Sequence, residues 1–199
     1  MPDKYGVLQD KYCYPDTDVL INLLNIRDAD LLAEAEAEIT AVRYQTYLSS
    51  VRPLHDFTFE HLQFLHIHLF QDLYSWAGKV RDVDLAKGTT RFCTCGRVEA
   101  EARKWFKQLA ALAQIGSQEE LVETVADLFC ELNIIHPFRD GNGRTQRFFF
   151  EELLFALGYD LTWPEISQQD WVNANISGVE LDLAPLITIF RQAIAPSRE

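Results

Sequence analysis

The residues best suited to chemistry lie in one short segment, Ile135–Phe150, which reads IHPFRDGNGRTQRFFF. Histidine is the side chain that most readily accepts a proton near neutral pH, and His136 is the only histidine in the segment. Asp140 adds a carboxylate, and two glycines follow it. The segment therefore combines a candidate base with a candidate metal ligand and a backbone that can turn sharply.

The two glycines indicate an anion site. Gly141, Asn142 and Gly143 can take the positive-φ geometry that aims successive backbone N–H groups inward, and a helix N-terminus should follow them. The free N–H groups of a helix N-terminus attract anions. A bare carboxylate at Asp140 would repel a phosphate there unless a hard cation lay between them. Since Mg²⁺ binds one or two carboxylates together with phosphate oxygens, the loop predicts a phosphate cradle with Mg²⁺ at Asp140.

Two arginines follow this loop at an unfavourable place. The pattern predicts a helix from Arg144 to about Leu157, so that Arg144 and Arg147 lie on one face of its first turn. A cation at a helix N-terminus costs about 0.3–1 kcal/mol, and a bound polyphosphate would reverse the sign of that conflict. The planar guanidinium group pairs well with phosphate oxygens. Together with the base, this arrangement favours transfer of part of a nucleotide to a hydroxyl group.

Each of these features also has a structural explanation. His-Pro-Phe could serve packing alone, Gly-Asn-Gly could be an ordinary turn, and the arginines could be solvated or paired with carboxylates. The chain has no G-x-x-x-x-G-K-[ST] phosphate loop and no strand followed by G-x-G-x-x-G. The combination of four features in one loop favours the functional interpretation.

The rest of the chain predicts a mostly α domain with one β-hairpin. Val80–Leu85 alternates like a strand and would pair with Arg91–Cys93 across the turn KGTT. Ser117 opens a capping box. The predicted helices, beside the one at Arg144, span Asp28–Tyr47, Thr58–Trp76 with Gly78 as its stop, Glu99–Ile115 and Ser117 to about Ile134, followed by two C-terminal helices capped by Ser167 and Asp182.

Composition excludes several classes of protein. The chain has 199 residues, of which 48% are hydrophobic, as expected of one globular domain. Its net charge of −12 repels nucleic-acid backbones and anionic lipids, which argues against direct nucleic-acid or membrane binding. No apolar run approaches the ~20 residues that span a bilayer, and the acidic N-terminus is unlike a signal peptide. We therefore expect a soluble, cytoplasmic protein.

Neither the cysteines nor the clustered histidines predict a metal site. The four cysteines lack a second pair at zinc spacing and are expected to be reduced thiols. Four histidines lie close together, but no acidic residue completes an H-E-x-x-H motif, and we interpret them as surface histidines or as satisfied helix histidines: His55, His61, His66 and His68.

The loop resembles the signature of the Fic family, HxFx(D/E)GNGRxxR. The chain carries HPFRDGNGRTQR with every fixed position filled. Leu65–Lys87 looks like the core helix and flap hairpin of that family, and Tyr12–Asp28 is similar to the N-terminus of bacterial Fic toxins. The resemblance implies an all-α Fic fold, a helical bundle with one β-hairpin flap over the active site. It also implies a single Fic domain over 1–199, with its core at about 58–160 and its flap hairpin at about 80–95.

The resemblance implies transfer of AMP from ATP to a Ser, Thr or Tyr hydroxyl of a target protein, with release of diphosphate. His136 would deprotonate the hydroxyl, and Phe138 would anchor the loop in the core. The nucleotide would be held by Asp140 through Mg²⁺, by the anion hole of Gly141, Asn142 (also through its side-chain amide) and Gly143, and by Arg144 and Arg147 on the β- and γ-phosphates. Doc proteins, which are related kinases, carry a lysine in place of Gly143, so the glycine favours nucleotidyl transfer.

The resemblance also suggests how the target is held. The flap, Asp84–Phe92, would pair with the target backbone as an added strand, and Lys87 and Phe92 would clamp the target side chain. Similar bacterial toxins modify the ATPase subunits of DNA gyrase and topoisomerase IV, which are therefore the first target guess. The alternatives are transfer of another nucleotide or of a phosphoryl group, or a non-catalytic Fic-fold module. The last is disfavoured because His136 and both arginines are present.

Control by a second protein is expected from a missing motif. Many Fic proteins are inhibited by a helix bearing [S/T]xxxE[G/N], whose Glu pairs with the second motif arginine. No Ser or Thr of this chain is followed four residues later by Glu. We therefore expect the toxin of a toxin–antitoxin pair, with a small antitoxin whose helix docks beside the N-terminal helices and presents a Glu to Arg147.

Overall fold

A computed structural model describes residues 10–48 and 52–197 of the chain. Helices dominate these residues, together with two small antiparallel sheets. The helices are α1 (Ala29–Gln45), α2 (Phe59–Phe70), α3 (Val98–Gln108), α4 (Gln118–Ile135), α5 (Asn142–Ala156), α6 (Gln168–Val179) and α7 (Ala184–Ala193). The strands are β1 (Ala86–Lys87), β2 (Thr90–Arg91), β3 (Tyr159–Leu161) and β4 (Ile194–Pro196). Within the described ranges, no helix combines the length and the apolar character needed to cross a membrane.

Most predicted helix starts are confirmed by their caps. Four side chains accept a hydrogen bond from the backbone N–H three residues later and so satisfy one of the free donors of the first turn: Asp28, Thr58, Ser117 and Ser167. The predicted cap Asp182 lies one residue before the actual cap residue of α7, which is Leu183. Its carboxylate still accepts a hydrogen bond from the N–H of Ala184, in the first turn of the helix.

The predicted helix over Thr58–Trp76 is too long. The α-helix ends at Phe70, and the chain then turns back onto α2, where Gly78 lies with φ +76°. A Cβ on Gly78 would lie 2.3 Å from the Ile67 side chain, so glycine is required at this close approach. Leu73 is buried inside the turn, and its helical spacing from α2 made the turn resemble more helix.

Two further helix boundaries differ from the prediction. The helix predicted over Glu99–Ile115 becomes a 3₁₀-helix from Leu109 to Gln114. The buried Leu109 and Leu112 are three residues apart, a spacing that suits a 3₁₀-helix. Helix α5 begins at Asn142, two residues before Arg144, because Gly141 with φ +76° is its cap.

The hairpin is shorter than predicted, and a second sheet was missed. Only β1 and β2 pair, with Lys87 opposite Thr90, and residues 80–85 form no strand. Part of that stretch instead lies along the loop after α4, where the N–H of Arg81 donates to the carbonyl of Pro137 at 2.9 Å. The second sheet is not a hairpin, because it pairs β3 with β4 from the far end of the chain. Because no short turn joins two strands so far apart in the sequence, no turn residues predict their pairing.

Helix α5 lies at the centre of the core, against α2 and α4. Phe150 is fully buried, and its ring lies 5.1 Å from Phe129 and 6.1 Å from Trp105, measured between ring centroids. The C-terminal α7 completes this aromatic cluster through Phe190. Since the H-P-F-R-D-G-N-G loop leads directly into the first turn of α5, the cluster anchors the helix that follows this loop.

Replacing Phe150 with Ala should lower the free energy of unfolding by about 3–5 kcal/mol, because it opens a large cavity in this cluster. Phe155 on the same helix is the matched control, since it is 51% exposed and Phe155→Ala should cost about 0.5 kcal/mol or less. Urea unfolding followed by circular dichroism measures both variants. Equal losses would contradict the central role of Phe150.

Candidate active site

Two helix ends meet at one loop. His136 ends α4 in the left-handed conformation, with φ +47°, and Gly141 caps α5 with φ +76°. A Cβ on Gly141 would lie 2.4 Å from the Phe70 ring, so only glycine fits there. The carbonyl end of α4 and the N–H end of α5 therefore flank the loop between them.

The imidazole of His136 is held in one orientation. Its Nδ1 lies 3.1 Å from the carbonyl oxygen of Asn133, so Nδ1 carries the proton and Nε2 is the basic nitrogen. The ring of Phe92 stacks on it, with centroids 3.8 Å apart and planes 13° from parallel. The residue is 7% exposed. These contacts hold the imidazole in one orientation.

The buried side chains of Asp140 and Asn142 both bond to the loop itself. Asp140 accepts from the N–H of Gly141 at 2.6 Å. The Asn142 amide accepts from the N–H of Phe138 and donates to its carbonyl, both at 2.8 Å. Only the second N–H of this amide could therefore add to an anion hole. The backbone of Phe138, itself buried in the core, is fixed by this ring of hydrogen bonds.

The two arginines differ in their surroundings. Arg144 pairs with the Glu36 carboxylate, donates to the Thr40 hydroxyl at 3.2 Å and lies 4.9 Å from the Phe70 ring. Arg147 packs toward the ring of Trp171 at 5.8 Å. Burial, followed by the charge of Arg144, lowers the pKa of Arg147. An anion placed between the two guanidinium groups would relieve this repulsion.

Every residue that the sequence marked as a site candidate lines one cavity of about 270 Å³. These are Lys87, Phe92, His136, Asp140, Gly141, Asn142, Gly143, Arg144 and Arg147. Helix α6 also lines the cavity, with residues that the sequence did not mark as site residues: Trp171, Val172, Asn175, Ile176 and Val179. The cavity thus combines the polar groups of the loop with the partly apolar side chains of α6.

Three buried or half-buried side chains around the loop were missed: Glu36, His66 and Arg81. Glu36 is one of several acids in α1, and nothing in that pattern marks it. Arg81 and Leu85 lie on the same side of the alternating segment before β1, and both are buried. A basic residue on the buried side of such a segment is the signal that could have marked Arg81. His66 was counted among the clustered histidines without a site role.

Of the clustered histidines, His55 is exposed, His68 is half-buried and His61 and His66 are buried, and those in α2 are satisfied as expected. His61 bonds to Glu152 at 2.7 Å, and His68 bonds to the carbonyl of Arg43 at 2.7 Å. Residues 10–48 and 52–197 contain no group of three metal-ligating side chains placed to bind an ion together. All four cysteines are free thiols.

His66 ties the loop to the turn after α2. Its Nδ1 accepts from the N–H of Gly78 at 2.9 Å, and its Nε2 donates to the carbonyl of Asp140 at 2.9 Å. This pattern requires a neutral imidazole with the proton on Nε2. Burial, which disfavours the charged form, lowers the pKa of His66 to about 4.

The fold and the loop define a class of protein. The sequence profile of the Fic/DOC family matches residues 56–154, and the chain belongs to this family. It is 40% identical over 203 residues to a Salmonella typhimurium protein named "Probable protein adenylyltransferase Fic", covering 100% of this chain and 99% of that protein. An Escherichia coli protein of the same name is 38% identical with the same coverage.

Solved structures of Bartonella effectors share the fold. The Bartonella tribocorum BepC protein, solved with bound AMPPNP, superposes with a TM-score of 0.85 at 26% identity, covering 94% of this chain and 97% of that one. A Fic domain from Bartonella quintana with bound ADP gives 0.84 at 27% identity, covering 94% and 95%. The VbhT protein adenylyltransferase of Bartonella schoenbuchensis is 34% identical over 176 residues, covering 87% of this chain and 36% of VbhT.

The low pKa of His66 predicts a loss of stability in mild acid. The unfolded chain binds a proton on this residue near its ordinary pKa of 6.5, whereas the folded chain does so only near pH 4. The stabilisation is therefore complete above about pH 6.5 and falls as the pH drops toward 4. Between about pH 7.5 and about pH 5 the wild type should lose on the order of 2 kcal/mol more than His66→Gln. Urea unfolding at both pH values measures this difference, and equal slopes for the two proteins would contradict it.

Proposed function

We infer that the chain is a protein adenylyltransferase, which transfers AMP from ATP to a Ser, Thr or Tyr hydroxyl of a target protein and releases diphosphate. The observation that carries this inference is the complete HPFRDGNGRTQR loop, in which the base and the phosphate-binding groups line one cavity. Relatives with the same name over nearly their full length support it. We propose that 1–199 is a single Fic domain with its core at about 58–160 and its flap hairpin at about 80–95. Its substrate ATP favours a cytoplasmic location.

The proposed reaction is a direct displacement at the α-phosphorus of ATP. The target oxygen forms a bond to this phosphorus as the bond to diphosphate breaks, and the hydroxyl proton passes to Nε2 of His136. General base catalysis of this kind contributes about 10²–10⁴-fold. The carbonyl end of α4 stabilises the positive charge that the imidazole gains.

The phosphates would be held by the N-terminus of α5. Backbone N–H groups of Gly141, Asn142 and Gly143 would form the anion hole, that of Gly141 once the Asp140 carboxylate turns from it to the metal, and Arg144 and Arg147 would bind the β- and γ-phosphates. A Cβ on Gly143 would meet only the Arg147 guanidinium, at 3.8 Å. Packing therefore does not require glycine at this position, which supports a role in leaving room for the nucleotide.

Asp140 suits a metal that arrives with the nucleotide. One carboxylate beside a phosphate cradle matches the preference of Mg²⁺ for few protein ligands plus phosphate oxygens. Within the described part of the chain, no three His, Cys, Asp or Glu side chains are placed to bind an ion together. When bound, Mg²⁺ would neutralise phosphate charge. The nucleoside would lie against Trp171 and the aliphatic side chains of α6.

The flap would align the target protein with the active site. Its strands β1 and β2 form a two-residue ladder beside the cavity, where a peptide can add as a further strand. Lys87 is exposed and lines the cavity, so it can contact the target side chain. Phe92 stacks on the imidazole, and we propose that it orients both the base and the incoming side chain.

Labelled ATP tests the reaction type. With Mg²⁺ and an Escherichia coli lysate, label from α-labelled ATP should stay on protein and label from γ-labelled ATP should not. His136→Ala should lower the transfer rate by about 10²–10⁴-fold while ATP affinity changes little, because the base does not bind the phosphates.

His55→Ala, on an exposed histidine far along the chain from the loop, is the control and should transfer at the wild-type rate. Protein labelled from the γ position would instead identify a kinase. Transfer from other nucleotides alone would change the assigned donor, and no transfer from any nucleotide would favour a non-catalytic module.

We also propose that the protein is the toxin of a toxin–antitoxin pair. A groove of about 330 Å³ lies between α1 and α5 and reaches both motif arginines. The small side chains of Ala37 and Ala41 line it and leave room for a helix. Glu36 already pairs with Arg144, so Arg147 is the arginine that an antitoxin Glu would bind.

Expression of the chain alone should therefore arrest bacterial growth, and co-expression of the antitoxin should restore it, because its Glu competes with the γ-phosphate. Antitoxin with this Glu changed to Gly should fail to restore growth. The ATPase subunits of DNA gyrase and topoisomerase IV are the first targets to assay for AMP. Normal growth with an active enzyme and no co-purifying partner would contradict this scheme.

A further inference from the structure

We infer that Arg81 is a positioning residue that couples the flap to His136. The inference rests on the proposed function, because it concerns how the target hydroxyl is brought to the base. Arg81 lies outside the signature loop, before β1, and is 2% exposed. It reaches backbone carbonyls on both sides of the flap and in the loop after α4.

The guanidinium of Arg81 donates to four carbonyl groups. Nε donates to His136 at 2.7 Å, and Nη1 donates to Val83 at 2.6 Å. Nη2 donates to Cys93 and, at 3.4 Å, to Ile135. One rigid group thus joins the residues before β1, the residue after Phe92 and the base itself.

The backbone around Arg81 reinforces this junction. The N–H of Arg81 donates to the carbonyl of Pro137 at 2.9 Å, and the N–H of Cys93 donates to the carbonyl of Ile134 at 2.9 Å. Phe92, between the flap strand and Cys93, stacks on the imidazole of His136. The position of the flap relative to the imidazole therefore depends on groups that Arg81 bonds to directly.

Only arginine can make this junction. Its planar fork presents five N–H donors in fixed directions, whereas lysine has three donors at a single nitrogen. A lysine at this position would keep the charge but could not span carbonyls from three segments. Without its guanidinium, the flap and the imidazole could move relative to each other.

Such movement would slow transfer without weakening nucleotide binding. A displacement of about 1 Å between reacting groups can cost about 10²-fold in rate. The proposed phosphate-binding groups sit at the N-terminus of α5 and bond to other partners. Loss of Arg81 should therefore lower kcat for transfer to protein and leave the Kd for ATP nearly unchanged.

The test compares Arg81→Lys with the wild type. The acceptor is the lysate protein that the wild type labels most strongly with α-labelled ATP, purified and titrated. We expect kcat to fall by about 10–100-fold, while the Kd for ATP changes by less than about twofold. Asn22→Ala is the matched control, because it removes a buried side chain that donates to two backbone carbonyls, those of Leu20 at 3.0 Å and Ile26 at 2.7 Å, in the segment before α1. Its kcat should stay at the wild-type value even though its stability falls.

Hydrogen exchange provides a readout that does not depend on activity. In Arg81→Lys the amides of Phe92 and Cys93 should exchange faster, while those of α5 stay protected as in the wild type. Added guanidinium should partly restore transfer in Arg81→Ala and leave Asn22→Ala unaffected. A fall in stability with unchanged kcat and unchanged flap exchange would overturn the inference, as would a rise in the Kd for ATP that accounts for the whole loss. A wild type that labels no protein would count against the proposed function instead.

Discussion

The structure depends on one tight reversal of the chain between α4 and α5. Only six residues, 136–141, separate the two helices. So short a connection is possible because Gly141 can lie against the Phe70 ring with a positive φ. The reversal brings the negative end of one helix dipole and the positive end of the other to the same loop. Under the proposed mechanism, the imidazole that gains positive charge and the groups that bind phosphate thus lie at oppositely charged helix ends a few residues apart. The bundle around α5 exists to hold these two helix ends at a fixed separation.

Buried polar side chains, rather than the aromatic core alone, fix the loop between those ends. Asn142 closes it from within, His66 holds the carbonyl of Asp140 and Arg81 holds that of His136. A polar group buried without partners is costly, so each of these side chains selects a single loop conformation in which its bonds are made. Hydrophobic packing supplies stability to the bundle, whereas these hydrogen bonds supply the precision that the chemistry needs.

The loop and the helix starts could be predicted because both depend on local chemistry. Asp28, Thr58, Ser117 and Ser167 cap their helices through groups only three residues away, and the signature loop carries its own turn residues. What escaped prediction depends on distant contacts. The pairing of β3 with β4, the bond from Glu36 to Arg144 and the burial of Arg81 each join parts of the chain far apart in sequence. The helix predicted at α2 is too long for a different reason, because buried residues of the turn that follows α2 can have the same spacing as residues of a helix.

The stacking of Phe92 on His136 has a consequence for the competing hydrolysis of ATP by water. The phenyl ring lies on one face of the imidazole, and the residue is only 7% exposed, so few water molecules can approach the base. Water is itself a competing acceptor for AMP, present at enormous excess over any protein hydroxyl. Under the proposed chemistry, a base covered in this way disfavours water as the acceptor of AMP even before a target protein binds. The same aromatic ring that helps to align a protein hydroxyl would then also suppress the idle breakdown of ATP.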